Sequence, residues 1–331
     1  MRGLRSLERQ NNVGSPLLKV SRHQVSDDGR SSRLMGIYSG LFASFLLGWA
    51  PILGKFAYLF GVTPTSLAAL RTVAAAGFLW GFYLIFWRAL LRVSLKDFLN
   101  CFLVGAINGF GSLFYYSGLE RLDASRASLL SALYPVWVVI FLSASGQRMT
   151  RLSLIRLSGC LLGAVLVTAP WATQNPPDYL GVMLMIASAA INGWYIVMGQ
   201  WVLADVPARS ATLYILTGMA ITVGLARIAT TDALEPLVGP AWLAIIALAL
   251  TTAVSRLAMF LSLERLGGVQ TAIISLTELA VSLGLAFLLL SERMSWEQWL
   301  GAVLLLGGGL LARADMEKGA ALPPSFNPMD V

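Results

Sequence analysis

The sequence predicts an all-α polytopic membrane protein in which ten transmembrane helices form two five-helix repeats of inverted topology. Three observations lead to this fold class: the hydrophobic composition, the length of the apolar segments and an internal repeat. The chain of 331 residues is 57% hydrophobic and only 12% charged, whereas soluble domains carry roughly 25% charged residues. The apolar segments are continuous and about 20 residues long, which favours membrane-spanning helices over the alternating strands of a barrel.

The two ends of the chain are polar and lie outside the predicted membrane domain. Residues 1–32 contain six arginine and lysine side chains and are predicted to be a flexible, basic cytoplasmic tail. No early apolar stretch with a small-residue cleavage site is present, so a secretory signal peptide is not expected. Residues 314–331 are rich in proline and are predicted to be a disordered C-terminal tail.

Ten apolar segments follow the basic tail, separated by short polar or proline-containing connections. The predicted spans are residues 34–54, 65–87, 97–119, 125–145, 153–171, 179–201, 210–229, 240–263, 269–290 and 297–313. If the N-terminus is cytoplasmic, 17 Lys and Arg residues lie on the cytoplasmic side and three on the opposite side. This bias predicts that both termini are cytoplasmic.

Two stretches of the chain are similar to each other in sequence. Both begin with LERL, at Leu119 and at Leu263, and they end with the related tripeptides QRM (147–149) and ERM (292–294). The offset between the copies is 144 residues at the start and 145 at the end. The dipeptide GW occurs at 48–49 and again 145 residues later, in the equivalent span. These shared spacings indicate a duplication.

The duplication divides the membrane domain into residues 33–172 and residues 173–313. Each half contains five predicted spans, and five is an odd number, so the two halves must enter the membrane from opposite faces. Inverted repeats of this kind are typical of secondary transporters, whose substrate site lies near the midplane between the halves.

The duplicated segments resemble the EamA-type branch of the drug/metabolite transporter superfamily. The resemblance is carried by GLERLDASRASLLSALYPVWVVIFL followed by GQRMT, and by SLERLGGVQTAIISLTELAVSLGLAFLLLSERMS. These segments are similar to the fourth- and ninth-helix signature of the family, and the resemblance covers most of residues 34–313. Leu279 stands where the second half often has proline, which predicts a less kinked ninth helix. Gln147 stands in place of the common glutamate of the first half.

Glu278 lies near the middle of the ninth predicted span, within an almost entirely apolar run. A carboxylate in hydrocarbon costs at least about 2.5 kcal/mol, so we expect it to face a cavity or a cation. Two interpretations remain open. The carboxylate titrates for proton coupling or binds a substrate amine, or it forms a permanent ion pair with Arg256 or Lys55. The equivalent residue of the first half is Tyr134, so the acidic group occurs in one half only.

Further polar and aromatic side chains within the spans are candidates for the substrate pathway. They are Lys55, Asn108, Asn192, Trp49, Trp194, Tyr116 and Tyr134. Arg71 and Arg256 are candidates for a gate or for an ion pair. Each has a structural alternative, because long cations extend to the membrane surface, asparagines bond to neighbouring helices and aromatic residues collect at the interface.

These features together predict a secondary transporter of a bacterial-type inner (plasma) membrane. The resemblance implies export of a small metabolite, an amino acid or a related compound, by alternating access around a midplane cavity. A facilitative, channel-like permease and an intramembrane lipid-modifying enzyme are the alternatives.

The composition also limits the cofactors and partners that we expect. No cofactor or metal and no enzyme activity are predicted, because one histidine and two separate cysteines cannot build a metal cluster. Small molecules, membrane lipids and protons are the expected partners, and a homodimer is left open. Nucleic acid is not expected, since the basic residues are scattered over loops and tail despite a net charge of +7.

Overall fold

The computed structural model describes residues 16–144, 151–168, 178–230, 237 and 239–311, and the regular structure of these residues is entirely helical. A short 3-10 helix (Arg88–Leu91) lies between the third and fourth α-helices. The α-helices are α1 (Pro16–Gly48), α2 (Ala50–Leu59), α3 (Pro64–Phe86), α4 (Leu95–Arg121), α5 (Ala124–Ser131), α6 (Tyr134–Ala144), α7 (Arg151–Thr168), α8 (Tyr179–Asp205), α9 (Ala208–Ala229), α10 (Gly239–Leu266), α11 (Gly268–Ser275), α12 (Thr277–Leu289) and α13 (Trp296–Leu311).

Within the described residues, every predicted span overlaps one helix or two consecutive helices. Among the described residues, seven helical segments are long and apolar enough to cross a membrane. They are Ser31–Leu59, Pro64–Phe86, Leu95–Arg121, Ala124–Phe141, Tyr179–Asp205, Ala208–Ala229 and Gly239–Leu266. Helix α12 is apolar but shorter.

The first helix begins earlier than the first predicted span. It starts at Pro16, so the structure places residues 16–32 of the predicted flexible tail in a helix, although the apolar part begins only at Ser31. Extending an existing helix is much easier than nucleating one, which accounts for its continuation into a polar segment. Residues 1–15 and 314–331 lie outside the described residues.

The fourth and ninth predicted spans are each interrupted at an equivalent place. Ala132 and Leu133 separate α5 from α6, and Pro135, which has no amide hydrogen to donate, follows directly. The ninth span has no such proline, yet it is interrupted between α11 and α12 at the single residue Leu276. Leu279 keeps its amide and donates it to the carbonyl of Leu276 at 3.1 Å, so the interruption is shorter than in the fourth span.

Helices at equivalent positions of the two halves make equivalent contacts with the opposite half. Helix α1 packs on α10 as α8 packs on α4, and α3 packs on α10 as α9 packs on α4. In the same way α1 contacts α12, and α8 contacts α6. Each of these pairs joins a helix of the first half to one of the second, so the core lies between the halves.

Two glycines at equivalent positions allow the interrupted helices to come close. A Cβ atom on Gly48 would lie 3.1 Å from the carbonyl oxygen of Glu278 and 2.6 Å from Val281. A Cβ atom on Gly193 would lie 2.9 Å from the carbonyl oxygen of Tyr134. Such close backbone approach requires a residue without a side chain. The GW dipeptides therefore mark where α1 and α8 meet the interruption of the opposite half.

Helices α7 and α13 pack against each other through a second pair of glycines. A Cβ atom on Gly163 would lie 2.9 Å from the carbonyl oxygen of Gly301, and one on Gly301 would lie 2.7 Å from that of Gly163. This contact joins the last helix of the first half to the last helix of the second.

Candidate functional site

A cavity of about 100 Å³ lies between the two halves. Ten of its lining residues belong to the first half and eight to the second; they are Leu47, Ala50, Arg71, Asn108, Gly111, Ser112, Tyr115, Tyr116, Ser131, Tyr134, Ser188, Asn192, Ile196, Met219, Arg256, Met259, Ser275 and Glu278. Among the described residues, α7 and α13 contribute none of them. The cavity is large enough to hold several water molecules.

Several lining residues are related to each other by the internal repeat. The pairs separated by 144 residues are Ser112 with Arg256, Tyr115 with Met259, Ser131 with Ser275 and Tyr134 with Glu278. Leu47 and Asn192 are separated by 145 residues. The cavity is therefore formed where equivalent positions of the two halves meet. The residue types of most pairs differ, so the charges are distributed unequally.

Arg71 enters the cavity from α3 and is 6% exposed. Its Nη1 donates to Oγ1 of Thr252 at 2.8 Å, and its Nη2 donates to Oγ of Ser112 at 2.7 Å. The guanidinium group also lies over the ring of Tyr116, 4.6 Å from the centroid. Its Nε atom is buried and has no hydrogen-bond partner among the described residues. Arg71 is thus held by side chains of both halves while one donor remains unsatisfied.

Arg256 enters the same cavity from α10. Its guanidinium carbon lies 5.1 Å from the ring centroid of Tyr195. The Nε atom of Arg256 is likewise buried, and the described part of the chain provides no hydrogen-bond partner for it. Stacking on an aromatic ring fixes the plane of a guanidinium group without consuming all of its donors.

Glu278 lies in the first turn of α12 and lines the cavity. The partial positive charge at the start of a helix favours a carboxylate at this position. The ion pairs among the described residues are Arg121 with Asp178 and Arg126 with Asp123, so the expected alternative of a direct Glu278 ion pair is not formed there. Arg256 is nevertheless close enough to interact electrostatically with the carboxylate.

Both asparagines and both tyrosines predicted from the sequence also line the cavity. The Nδ2 atom of Asn108 donates to the sulfur of Met219 at 3.6 Å, which is a weak hydrogen bond. The hydroxyl-bearing side chains of Tyr134 and Ser275 line the same cavity. These side chains surround the charged groups with hydrogen-bonding and aromatic surface.

Three other candidates lie away from the cavity. The Nζ atom of Lys55 is 3.5 Å from the backbone oxygen of Glu120, at the last turn of α4, where a cation complements the helix dipole. Trp194 packs edge-to-face against Phe141, with ring centroids 5.0 Å apart. Trp49 forms the junction between α1 and α2 and is not a lining residue, although Leu47 and Ala50 beside it are.

The sequence interpretation missed the small polar residues of the cavity. Ser112, Ser131, Ser188 and Ser275 all line it, together with Tyr115. Serine is common in membrane helices, so its presence alone indicates no site. The repeat offset did contain a signal, because a shift of 144 residues from Arg256 leads to Ser112.

A separate cluster joins the two halves at the beginning of α5. The carboxylate of Glu292 accepts hydrogen bonds from the amides of Ala124 and Ser125, both at 2.8 Å, and from Oγ of Ser125 at 2.6 Å. Asp123, at the usual capping position, makes no capping bond. Glu292 therefore satisfies the free amides at the start of α5 from the opposite half.

The backbone around Glu292 is arranged to support this contact. Ser291 adopts a left-handed conformation with φ of 56°. The amide of Glu292 then donates to the carbonyl of Ala286 at 3.3 Å, as in a common helix C-terminal motif. One helix turn further along α5, the hydroxyls of Ser128 and Ser282 lie 2.6 Å apart. At these positions α5 is bonded to residues of the second half.

Nowhere in the described part of the chain do three His, Cys, Asp or Glu side chains come together as metal ligands. In the cavity the chemistry comes from two guanidinium groups, one carboxylate, hydroxyls and amides. Such a set can bind a small polar molecule and exchange a proton.

Comparisons with known proteins point in the same direction as the cavity. A model of the EamA-like transporter family matches the sequence twice, at residues 34–169 and at residues 179–313. No curated protein matches the chain at a significant level. A crystal structure of a protein superposes with a TM-score of 0.62 at 20% sequence identity, covering 87% of this chain and 98% of that one. At this identity, the superposition shows a shared fold.

Proposed function

Because the chain belongs to the EamA-like transporter family, we propose that it is a secondary transporter that moves a small metabolite by alternating access around the central cavity. The observation that carries this proposal is the cavity itself, which both halves line with polar and charged side chains. In a membrane helix such groups are costly unless they serve a ligand or a partner. A cavity between two similar halves is the arrangement expected of a secondary transporter.

We further propose that ten helical segments cross the membrane as inverted repeats. The two family matches divide the chain into halves, and the helix contacts recur when the halves are exchanged. Five spans in each half would give the copies opposite orientations. The bias of Lys and Arg towards one side supports cytoplasmic termini. We place the protein in a bacterial-type inner membrane as an exporter on the basis of the family resemblance.

The proposed roles follow from the position of each side chain. Glu278 has no ion-pair partner among the described residues and lies in the cavity, which suits a carboxylate that gains and loses a proton during the cycle. Asn108, Asn192, Tyr116 and Tyr134 would contact the substrate. The cations Arg71 and Arg256 would contribute to binding or gating.

A transport assay with purified protein in liposomes tests this function. Uptake of a panel of amino acids and related metabolites is measured with and without a pH gradient for the wild type and for Glu278→Gln. We expect saturable uptake of at least one compound, and we expect the pH gradient to stimulate it in the wild type but not in the variant. Glu120→Gln, outside the cavity, is the matched control and should behave like the wild type.

The two parts of the proposal fail in different ways. Absence of protein-dependent flux for the whole panel would contradict a transport function. Flux that Glu278→Gln leaves fully dependent on pH would remove the proton-carrying role of this residue but would retain transport. Wild-type flux that the pH gradient does not change would instead fit a facilitative permease.

A further inference from the structure

The charges of the cavity do not balance. Its charged lining residues in the described part of the chain are Arg71, Arg256 and Glu278, which gives two positive charges and one negative charge. Glu278 forms no ion pair with either arginine. A buried charge without a counter-ion is unfavourable in a membrane protein. With Glu278 ionised, the lining residues of the cavity therefore carry an excess of one positive charge.

The hydrogen-bond donors of the two arginines are also incompletely used. A guanidinium group has five N–H donors. Arg71 donates to Thr252 and Ser112, yet its Nε has no partner, and the same is true of Nε in Arg256 within the described residues. Both side chains are held by aromatic rings, those of Tyr116 and Tyr195. The two guanidinium groups are thus oriented in advance, and each keeps an N–H donor that no described residue accepts.

We infer that the transported substrate is a small organic acid of net charge −1, whose carboxylate is bound by Arg256 and Arg71. This inference rests on the proposed transport function and assigns a substrate class to the same cavity. One carboxylate compensates the single excess charge, and its planar pair of oxygens matches the donor geometry of a guanidinium group. A phosphate ester carries about −1.5 to −2 charges at neutral pH and fits this excess less well.

The charge of Glu278 further limits the substrates that fit the cavity. When the Glu278 carboxylate is ionised, the cavity accepts a monoanion. This monoanion can also be an acidic amino acid of net charge −1, whose ammonium group would face Glu278. A cationic substrate would add to the two arginines. An electroneutral amide would leave the excess positive charge uncompensated.

Pairs of compounds that differ only in the charge of one group test the inference. Binding to the purified wild-type protein is measured by tryptophan fluorescence or calorimetry for lactate and lactamide, aspartate and asparagine, glutamate and glutamine, and benzoate and benzamide. We expect at least one carboxylate to bind about tenfold more tightly than its amide, in line with the strength of charge-assisted hydrogen bonds. A panel in which every amide equals or exceeds its carboxylate would overturn the inference.

Substitutions of Arg256 and Arg71 test whether these two residues produce the preference for carboxylates over amides. Arg256→Gln should abolish the carboxylate preference, and Arg71→Gln should reduce it. Arg121→Gln is the matched control, since it removes an exposed arginine far from the cavity lining. If Arg256→Gln does not yield folded protein, Arg71→Gln supplies the test. A preference that survives in every folded cavity variant would exclude these arginines as the carboxylate site.

Flux measurements on the same panel separate this inference from the proposed function. Saturable transport of amides or amines without a carboxylate preference would leave the transporter intact and refute the organic acid. Selective binding of carboxylates without flux of any compound would support the anion site and refute the transporter.

Discussion

Arg71 and Arg256 reach one cavity from different halves of the chain, and neither forms an ion pair with an acidic side chain of the described residues. Hydroxyl groups and aromatic rings take the place of carboxylates around them. A hydroxyl or a ring compensates only part of the cost of burying a cation. At the scale of the residue, the site is therefore prepared for a charge that a ligand brings.

Asp178 lies just before α8, outside the predicted spans, and its carboxylate does have a cationic partner. The carboxylate accepts hydrogen bonds from Arg121 at 2.7 Å and from the amides of Leu180 and Gly181 at 2.9 and 3.3 Å. The hydrogen bond from Arg121, followed by those from the amides, lowers the pKa of Asp178 below its ordinary value.

This lowered pKa predicts a dependence of stability on pH. A carboxylate whose pKa is lower in the folded state stabilises the fold above its unfolded pKa of about 3.9. The contribution is lost as the pH falls below that value towards the folded pKa. We expect Asp178→Asn to unfold at a lower temperature than the wild type at pH 6. At pH 3 the two unfolding temperatures should lie closer together. The exposed Asp205→Asn variant serves as the control, and an equal difference at both pH values would contradict the prediction.

Single residues were predictable from sequence where their chemistry contrasts with their surroundings. Glu278, Arg71, Arg256, Asn108 and Asn192 are conspicuous in apolar segments, and all of them line the cavity. Lys55 has the same contrast but lies elsewhere, because a long side chain near a helix end reaches a backbone carbonyl instead. Contrast alone does not reveal which way a side chain points.

At the scale of the element, the fourth and ninth spans are the least regular parts of the fold. Pro135 indicates the interruption of the fourth span in the sequence. The interruption of the ninth span at Leu276 has neither a proline nor a glycine beside it. The sequence therefore predicted a smaller kink in the ninth helix, and it could not locate the interruption. Tertiary packing against Gly48, where α1 approaches the backbone of Glu278, is visible only in the structure.

The short helix α5 depends on a residue that is distant in sequence. Its eight residues begin with free amides that Glu292 caps, as described above. We expect Glu292→Ala to destabilise the protein by about 1–3 kcal/mol, because two buried donors lose a charged acceptor. Thermal unfolding in detergent measures the change.

The control for this prediction is Glu120→Ala, which removes an exposed glutamate from the last turn of α4 but removes no cap. Its unfolding temperature should remain near that of the wild type. An unchanged unfolding temperature for Glu292→Ala would show that water replaces the carboxylate at no cost. The equivalent position of the first half, Gln147, lies outside the described residues.

At the scale of the whole molecule, the distribution of positive charge predicts orientation. Seventeen of the 24 Lys and Arg residues fall on the side assigned to the N-terminus. Reporters that are active on one side of the membrane only, fused to either terminus, should both report the cytoplasm. A reporter inserted at residues 173–178, between the halves, should report the opposite side. A cytoplasmic signal from that insertion would contradict an odd number of spans in each half.

The overall architecture was accessible from sequence because its signals are long and repeated. Apolar segments of about 20 residues predict the positions of the long helices, and a repeat offset of 144 or 145 residues relates the two halves to each other. The convergence of Ser112, Arg71 and Thr252 was not accessible, since it joins three helices whose rotations no single segment determines. The family matches and the shared fold agree with the long-range signals and say little about these contacts.

The unequal division of charge between the halves has a consequence for how such a chain can arise. The first half brings one arginine to the cavity, and the second brings one arginine and one glutamate. Two copies of the first half would confine two cations with no acid, and two copies of the second would be electrically neutral. Neither symmetric assembly would produce a single surplus charge. Because both halves belong to one polypeptide, the complementary halves always meet in a one-to-one ratio.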